Sequence, residues 1–178
     1  MKQNYYIKNT FAKFIEIKGI DCKQFLQGMI TNDINKCDNQ NILIYSCFLS
    51  PQGKFLADFF ITKLNDGYLI EINKKYFQPF LDKLNIYKLR SSVEFNEYKN
   101  LISLVTFNNE NIFLDKAIKT YKDPRSSNIG YKIYIDKKSD NYKKIKLFKE
   151  LNYNFYKEIL IKNLIPNSED DLIINKSL

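Results

Sequence analysis

From position 42 the chain reads Ile42-Leu-Ile-Tyr-Ser-Cys-Phe-Leu-Ser-Pro-Gln-Gly-Lys-Phe-Leu-Ala-Asp-Phe-Phe-Ile-Thr-Lys-Leu64, two apolar runs separated by Ser-Pro-Gln-Gly. Pro and Gly occupy positions that tight turns favour, so the two runs are predicted to pair as a β-hairpin. Asn65-Asp-Gly67 is a second turn signal, and Tyr68-Leu-Ile-Glu-Ile72 follows it as a third strand. The stretch therefore predicts an antiparallel, three-stranded meander.

The segments on either side of this meander add one strand and two helices. Residues 11–18 alternate between apolar and polar side chains until a glycine interrupts them, which predicts a strand. Asp21 then stands at a helix N-cap position, before apolar residues at helical spacing. After the meander, residues 74–89 form an amphipathic helical pattern. Pro79 within it predicts either a kink or a late start of the helix.

The second half of the chain mixes short strands with a helix. A long helix is expected at about residues 142–161, with Leu147, Leu151 and Phe155 on one face. Hairpins dominate over regular βαβ repeats, so we expect an α+β fold with mostly antiparallel sheets and packed helices. The short strands predicted in this half are Ser92–Tyr98, Leu101–Phe107, Ile112–Leu114 and Gly130–Ile135.

The chain carries a formal charge of +8, which raises the question of nucleic-acid binding. Its 28 basic residues are almost all Lys, with Arg only at Arg90 and Arg125. Base and phosphate recognition favours the planar fork of donors that Arg presents. The abundance of Lys, Asn and Ile indicates instead an AT-rich genome, and no RNP-like or KH-like motif occurs. A basic RNA-binding protein therefore remains only an alternative.

Composition also limits the chemistry and suggests a compartment. His is absent, and the three cysteines Cys22, Cys37 and Cys47 form no Cys-x-x-Cys pair. A Ser-His-Asp or Cys-His nucleophile is thereby excluded and a Cys/His zinc site disfavoured, so we expect neither a metal site nor a complete catalytic constellation. Neither a signal-peptide pattern nor an apolar run of about 20 residues occurs. We expect a cytoplasmic bacterial protein with reduced thiols and no membrane segment.

Five short blocks together resemble one known family, the YgfZ family of the folate-binding GcvT superfamily. Each block is weak alone, but they occur in the family's order and with plausible spacing over nearly the whole chain. The blocks are Asp21-Cys-Lys-Gln-Phe-Leu-Gln-Gly28 with Thr31-Asn-Asp33; Ser50-Pro-Gln-Gly-Lys54 with Asp58; Leu89-Arg90; Asp123-Pro-Arg125 with Ile129-Gly130; and Tyr156 to Pro166 followed by Glu169-Asp-Asp171.

The resemblance implies a folate-binding GcvT/YgfZ-like region at residues 1–165, built from two interleaved α+β subdomains. It implies binding of tetrahydrofolate and support for iron–sulfur cluster assembly or repair, and thereby for iron–sulfur enzymes such as those that modify tRNA. Assembly factors or apo-enzymes would be the partners. The family's K-G-C-Y-x-G-Q-E motif would follow the acidic patch but does not occur in these 178 residues. We therefore expect residues 166–178 to lead towards a missing C-terminal part.

The resemblance also implies which residues would hold the folate. Asp58 would accept hydrogen bonds from the amine and amide groups at the edge of the pterin ring. Lys54 and Arg90 would meet the anionic glutamate tail, with Arg90 acting as a bidentate clamp. The alternative for each of these charged residues is an ordinary solvated position.

Four further positions complete the predicted folate site. Asn32 and Gln52 belong to the matched blocks, and their alternative role is to shape turns through local hydrogen bonds. Phe11 and Tyr156 lie near places where family members carry aromatic residues, on which a flat pterin would stack. Core packing is the alternative role for both rings.

A folate-dependent aminomethyltransferase is the competing function within the superfamily. Such enzymes tend to carry a second Asp at the position of Ala57, which this chain lacks. Since His is also absent, the residues favour an accessory protein without ordinary turnover. An aminomethyltransferase-like enzyme stays the alternative.

Overall fold

The computed structural model describes residues 5–38, 41–107 and 119–177, and these fold as two compact units. The larger unit contains the described residues of Phe11–Lys99 and Asn167–Leu178. The smaller unit contains the described residues up to Thr10 and those of Asn100–Pro166. The chain therefore passes from the smaller unit into the larger one, back into the smaller unit at residue 100, and into the larger unit again at residue 167.

The larger unit is built on a five-stranded antiparallel sheet with the order β3-β4-β5-β2-β6. The predicted meander forms its centre and one edge, as the alternation and turn residues indicate. Its strands are β2 (Ala12–Lys18), β3 (Leu43–Leu49), β4 (Phe55–Leu64), β5 (Gly67–Asn73) and β6 (Glu94–Glu97).

Gly67 is required where β4 turns into β5. Its φ of 155° lies in a region that side chains disfavour, and an added Cβ would stand 2.1 Å from the Ile17 carbonyl oxygen of the neighbouring strand. Asn65-Asp66 therefore make the turn, while Gly67 permits the close approach of β2.

One face of this sheet is covered by helices and forms the main apolar core. The helices are α1 (Cys22–Gln27), a 3-10 turn (Ile34–Cys37) and α2 (Lys74–Lys88). Helix α2 begins after Asn73, whose side chain accepts from the Lys75 N–H, and it continues through Pro79. The apolar side chains that α2 buries against the sheet are Tyr76, Phe77, Phe80 and Leu84.

The end of the chain packs onto the larger unit. The Asn175 N–H donates to the Phe55 carbonyl at 2.9 Å, and the Phe55 N–H donates to the Ser177 carbonyl at 3.1 Å. The Tyr76 hydroxyl donates to the Ser168 carbonyl, and Leu172 packs against the apolar core. Residues 167–177 thus extend the hydrogen bonding of β4 at its first residue.

The smaller unit has a second five-stranded sheet, of order β10-β1-β7-β9-β8, with both faces covered. Only the β1–β10 pair is parallel among its described strand pairs. Its elements are β1 (Tyr5–Asn9), β7 (Leu101–Thr106), β8 (Lys119–Lys122), β9 (Tyr131–Asp136), β10 (Lys149–Leu151), α3 (Asp140–Ile145) and α4 (Tyr153–Lys162).

These elements confirm the α+β class with mostly antiparallel sheets, but the single helix at 142–161 is wrong. Ser139 and Asn152 each cap a separate short helix, and β10 lies between them because it pairs with the edge of β1. Leu147 is consequently exposed instead of facing a helix core. Strands β1, β8 and β10 were not predicted, and the expected strand at 112–114 lies outside the described residues. No described helix has the length and apolar content needed to cross a bilayer.

Candidate functional site

The face of the larger sheet opposite its helices carries aromatic rings and carboxylates together. Across the strands, Tyr45 stands opposite Phe60, Phe60 opposite Glu71, and Glu71 opposite Phe14. Asp58 lies on the same face, two residues before Phe60 on β4. We call these five residues the acidic–aromatic face. Buried carboxylates beside flat rings can bind a planar ligand that presents N–H groups at its edge.

Asp58 is the best-placed carboxylate of this face. Only 7 % of the residue is exposed, and the Tyr45 hydroxyl donates to its Oδ2 atom at 2.8 Å. The Tyr45 and Phe60 rings are 5.3 Å apart, so the hydrogen-bonded Tyr45 is also held by packing. The hairpin register places Cys47 directly opposite Asp58. The local β3–β4 pairing therefore sets the surroundings of this carboxylate.

The negative charge of Asp58 contributes to the raised pKa values of two neighbouring groups, Cys47 and Tyr76. Burial, and then the Asp58 charge, raise the pKa of the Cys47 thiol to about 11, although a hydrogen bond with Tyr45 acts in the opposite direction. Burial raises the pKa of Tyr76 to about 12, with smaller contributions from Asp58 and Glu169. The surroundings of Asp58 thus disfavour new negative charge and favour hydrogen-bond donors.

Asn32 and Thr31 cover the free edge of strand β3. The Thr31 N–H donates to the Cys47 carbonyl at 3.1 Å, and the Cys47 N–H donates to the Thr31 Oγ1 at 2.9 Å. The Asn32 Nδ2 donates to the Tyr45 carbonyl at 2.8 Å, and its Oδ1 accepts from the Lys36 Nζ at 3.0 Å. Both the donor and the acceptor of the Asn32 side-chain amide are thereby hydrogen-bonded within the protein, beside β3, the strand that contains Tyr45.

Three other predicted folate residues of the larger unit lie in turns. The backbone N–H groups of Gln52 and Lys54 lie near the Ser50 hydroxyl, at 3.3 and 3.2 Å, so both residues belong to the β3–β4 turn. The Gln52 residue is exposed and Lys54 is half-buried. Phe11 lies in the turn before β2, with the Lys74 Nζ 4.7 Å from its ring centroid.

Arg90 lies in a different place, at a surface groove of about 940 Å³ between α1 and the end of α2. It is exposed, and no described residue forms an ion pair or hydrogen bond with it. None of the other six predicted folate residues lines this groove, whose lining is Asp21, Gln24, Phe25, Gly28, Met29, Tyr87, Leu89, Arg90 and Ser91.

Tyr156 belongs to the smaller unit and is buried in a polar cluster. Arg125 donates to both oxygens of Asp123, from Nε at 3.0 Å and from Nη2 at 2.8 Å. The same Nη2 lies 2.6 Å from the Tyr156 hydroxyl, which in turn donates to Asp123 at 3.3 Å. Burial tends to raise the pKa of Asp123, but hydrogen bonds and charge from Arg125, with the charge of Lys132, hold it below its ordinary value.

The structure therefore connects only some of the residues singled out in the sequence. Asn32 and Asp58 both contact Tyr45, whereas Arg90 and Tyr156 have other surroundings. Tyr45 and Glu71 were missed as site residues. Tyr45 lies two residues from Cys47, the cross-strand partner of Asp58, so alternation places Tyr45 on the face of Asp58 only once the hairpin register is known. In the described ranges, no three His, Cys, Asp or Glu side chains are grouped so as to hold a metal ion.

Sequence comparison finds relatives among fungal proteins named iron–sulfur cluster assembly factor IBA57 homolog, mitochondrial. The relative from Mycosarcoma maydis is 29% identical over 132 residues, which are 66% of this chain and 33% of that protein. The relative from Pyricularia oryzae is 27% identical over 68% of this chain and 33% of its own length. That from Neurospora crassa is 35% identical over 47% of this chain and 20% of its own. The matches span at most about a third of these relatives, and no protein-family model matches the chain.

Structural comparison finds the same fold in the glycine cleavage system aminomethyltransferase T of Bartonella henselae. The TM-score is 0.60 over 92% of this chain and 47% of the enzyme, at 13% sequence identity. The chain therefore has a GcvT-like fold and is similar in sequence to iron–sulfur cluster assembly factors. The expectation of a bacterial cytoplasmic protein is wrong, because the relatives are fungal and are named as mitochondrial. Absence of a signal-peptide pattern and an AT-rich composition do not distinguish these compartments.

Proposed function

We propose that this chain forms the tetrahydrofolate-binding region of an iron–sulfur cluster assembly factor. In this role it supports cluster assembly or repair in client apo-enzymes, including tRNA-modifying ones, together with other assembly factors. The similarity to proteins named as such factors supports the assembly role. Their names also support a mitochondrial place of action.

The buried carboxylate of Asp58 is the observation that carries the folate part of the proposal. A buried carboxylate costs free energy unless polar groups compensate it, and here the Tyr45 hydroxyl donates to one of its oxygens. A pterin edge presents amine and amide N–H donors of the kind that a carboxylate accepts. The residues around Asp58 therefore fit the group that the resemblance implies.

The aromatic residues of the same face suit the ring of the ligand. Tyr45 and Phe60 are held beside Asp58 by the β3–β4 register, and the half-buried Tyr45 ring, packed on Phe60, would offer apolar surface to a planar heterocycle. Asp58 would fix the orientation of the pterin through its edge. Glu71, in the same cross-strand row, adds a second acceptor on this face. Bound tetrahydrofolate would supply a one-carbon carrier, while these residues would bind and orient it.

A folate-dependent aminomethyltransferase is the second candidate, and the fold of the Bartonella enzyme favours it. The surroundings of Ala57 weigh against it. Ala57 is 1 % exposed and packs in the apolar core, on the face opposite Asp58. The position therefore contributes a methyl group to the core and no carboxylate to a site. Transfer of an aminomethyl group to tetrahydrofolate by the purified chain would favour this candidate.

Calorimetric titration with tetrahydrofolate under reducing conditions tests the proposal. We expect micromolar binding by the wild-type chain and a loss of about 10- to 100-fold in Asp58→Asn, since charge-assisted hydrogen bonds contribute roughly 1.5–3 kcal/mol. Asp82→Asn is the matched control, because Asp82 is an exposed carboxylate on α2 that accepts from Gln78. This control should bind as the wild type does.

The same variants separate folate binding from the assembly role. Fungal cells depleted of their own relative would receive the wild-type or Asp58→Asn chain, fused to the rest of that relative, and the activity of a [4Fe–4S] enzyme would be measured. Recovery with the wild type and not with Asp58→Asn supports both parts. Failure of a folded wild-type chain to bind tetrahydrofolate would refute the folate part, whatever the cells show.

A further inference from the structure

The groove between α1 and the end of α2 has the features of a binding surface. Phe25 and Met29 line it from α1 and the residues just after it, and Tyr87 and Leu89 line it from the end of α2. Its volume of about 940 Å³ lies within the range of pockets that bind ligands or peptide side chains. The ring of Phe25 packs against Phe95 at 5.7 Å, so this wall of the groove is fixed by the sheet.

Large apolar side chains are exposed beside this groove. Leu89 is 86% exposed and Ile86 63% exposed, and Tyr87 is also exposed. Single exposed apolar residues are ordinary, but here three lie within four positions, two of them in the groove lining, and such clusters mark interaction surfaces. Burial of such a cluster in a complex would remove much of its apolar area from water.

The backbone at Leu89 holds its side chain out of the helix. Leu89 has a φ of +43°, a backbone conformation that residues other than glycine rarely adopt. Hydrogen bonds on either side maintain it: the Ser91 N–H donates to the Lys88 carbonyl, and the Ser92 N–H donates to the Asp21 Oδ2 at 2.7 Å. Asp21 therefore ties the start of α1 to the chain after α2 instead of capping its own helix.

One exposed cation lies in the lining of the groove and a second lies near it on α2. Arg90 lines the groove, and Lys83 lies one helical turn before Tyr87 on α2. Within the described residues, neither the Arg90 nor the Lys83 side chain forms an ion pair or hydrogen bond. Asp21 is the acidic residue of the lining, and one of its oxygens already accepts the Ser92 N–H. Because Asp21 has this partner and the Arg90 side chain has none among the described residues, the groove complements a ligand that brings a carboxylate to Arg90 together with apolar side chains.

We propose that this groove docks an acidic, amphipathic segment of a partner protein. Apolar side chains of the segment enter beside Phe25, Met29 and Leu89, and its carboxylates pair with Arg90 and Lys83. Arg and Tyr are enriched among residues that dominate binding energies, and Arg pairs with carboxylates through two parallel hydrogen bonds. The inference goes beyond the proposed function and does not depend on folate binding. It competes with the predicted contact between Arg90 and the glutamate tail of folate.

Fluorescence anisotropy with a labelled synthetic peptide tests the proposal. The probe carries Leu at helical i, i+3, i+4 spacing and Glu elsewhere, and a second peptide of the same composition has its Leu residues scrambled so that no apolar face forms. We expect saturable binding of the first peptide and at least about tenfold weaker binding of the second. Since both peptides have the same charge, general attraction to a protein of charge +8 cannot produce this difference.

Three variants locate the binding on the chain. Leu89→Asp and Arg90→Glu should each weaken peptide binding by about tenfold or more, as expected of central interface residues. Lys144→Glu is the control, because Lys144 is exposed on α3 of the smaller unit and the substitution changes the net charge as Arg90→Glu does. It should change binding by less than about threefold, since it acts only through long-range charge. Circular dichroism verifies that each variant is folded.

Several results would overturn the proposal. These are no saturable binding at about 100 μM amphipathic peptide, equal binding of the scrambled peptide, or equal losses in Lys144→Glu and Arg90→Glu. If Arg90→Ala lost tetrahydrofolate binding but bound the peptide as the wild type does, Arg90 would be a folate-binding residue and not a docking residue. Leu89→Asp should leave tetrahydrofolate binding intact, so failure of the docking proposal is distinguishable from failure of the folate proposal.

Discussion

Asp123 in the smaller unit and Asp58 in the larger unit are both buried carboxylates, yet their surroundings differ. Asp123 is 2 % exposed and receives three hydrogen bonds from Arg125, one of them from the backbone N–H, and one from Tyr156. Asp58 is 7 % exposed, accepts from the Tyr45 hydroxyl, and shares its face with aromatic rings. Burial alone therefore does not distinguish a structural carboxylate from a candidate binding residue.

The difference follows from what each motif supplies. In Asp123-Pro-Arg125 the cation follows the carboxylate by two residues. The Arg125 guanidinium donates to both carboxylate oxygens of Asp123, as in other bidentate pairs. The Asp58 charge instead acts on groups of the adjoining strand and helix, where it helps raise the pKa values of Cys47 and Tyr76. The first carboxylate is thus held within the fold by Arg125, whereas for the second we propose a ligand contact.

The largest effect is expected when the Asp123 pair is broken. Arg125→Ala leaves a buried carboxylate without its guanidinium and should lower the free energy of unfolding by about 3–5 kcal/mol. Urea denaturation followed by circular dichroism measures this. Lys143→Ala, which removes an exposed ion pair with Asp140, should cost less than about 0.5 kcal/mol. Equal losses in the two variants would contradict the structural role of Asp123-Pro-Arg125.

A smaller effect is expected on the free energy of unfolding at acidic pH, where Asp123 becomes protonated. The pKa of Asp123 is lower in the folded chain than the value of about 3.9 for an unfolded one, so its contribution to stability is complete above that value. The contribution disappears as the pH falls through the folded-state pKa, because the unfolded chain then binds more protons. The free energy of unfolding should therefore depend less steeply on pH between about 5 and 2 in Asp123→Asn.

Asp38→Asn provides the comparison for the acid measurement. A hydrogen bond from Lys23 lowers the pKa of Asp38 as well, but this pair is exposed to solvent and screened. Its removal should therefore change the acid slope less than Asp123→Asn does. A wild-type slope retained in Asp123→Asn would mean that Asp123 is not the group whose protonation weakens the fold.

The smallest effect is expected at Cys47, and it tests the outward action of the Asp58 charge. Removing that charge in Asp58→Asn should lower the pKa of Cys47 from about 11 and speed its alkylation by iodoacetamide at pH 9 by roughly two- to tenfold, since the thiolate reacts. Mass spectrometry of the peptides follows each cysteine. Cys37, whose pKa of about 11 arises from burial and then from other neighbours, serves as the internal control. An unchanged pH profile for Cys47 would show that Asp58 does not act on it.

The central meander and its flanking helix could be predicted because their signals are local. Turn residues, period-two alternation and an amphipathic run specify β3, β4, β5 and α2 without reference to distant residues. Strands β1 and β10 could not be predicted in this way, since both are short and pair with strands distant in the sequence: β1 with β7 and β10, and β10 with β1. The same pairing interrupts the helix expected at 142–161.

The candidate site was predictable only in part. Asp58 stands out in the matched block, but its hydrogen bond with Tyr45 depends on the hairpin register. The bonds of Asn32 to the edge of β3 and of Tyr156 to Arg125 join residues far apart in sequence, and no spacing reveals them. That folate contacts any of the seven residues stays a prediction; they are Asp58, Arg90, Asn32, Gln52, Lys54, Phe11 and Tyr156.

Sequence by itself determined the α+β class, the meander and the choice of Asp58, because these depend on side-chain periodicity, turn chemistry and short motifs. Tertiary structure alone decided that Tyr156 joins the Asp123–Arg125 pair and that Asp58 shares a face with aromatic rings of neighbouring strands. It also decided that Arg90 lies in an apolar groove. The physical reason is that burial and hydrogen-bond partners come from strands and helices that are distant in the chain, and only packing brings them within reach.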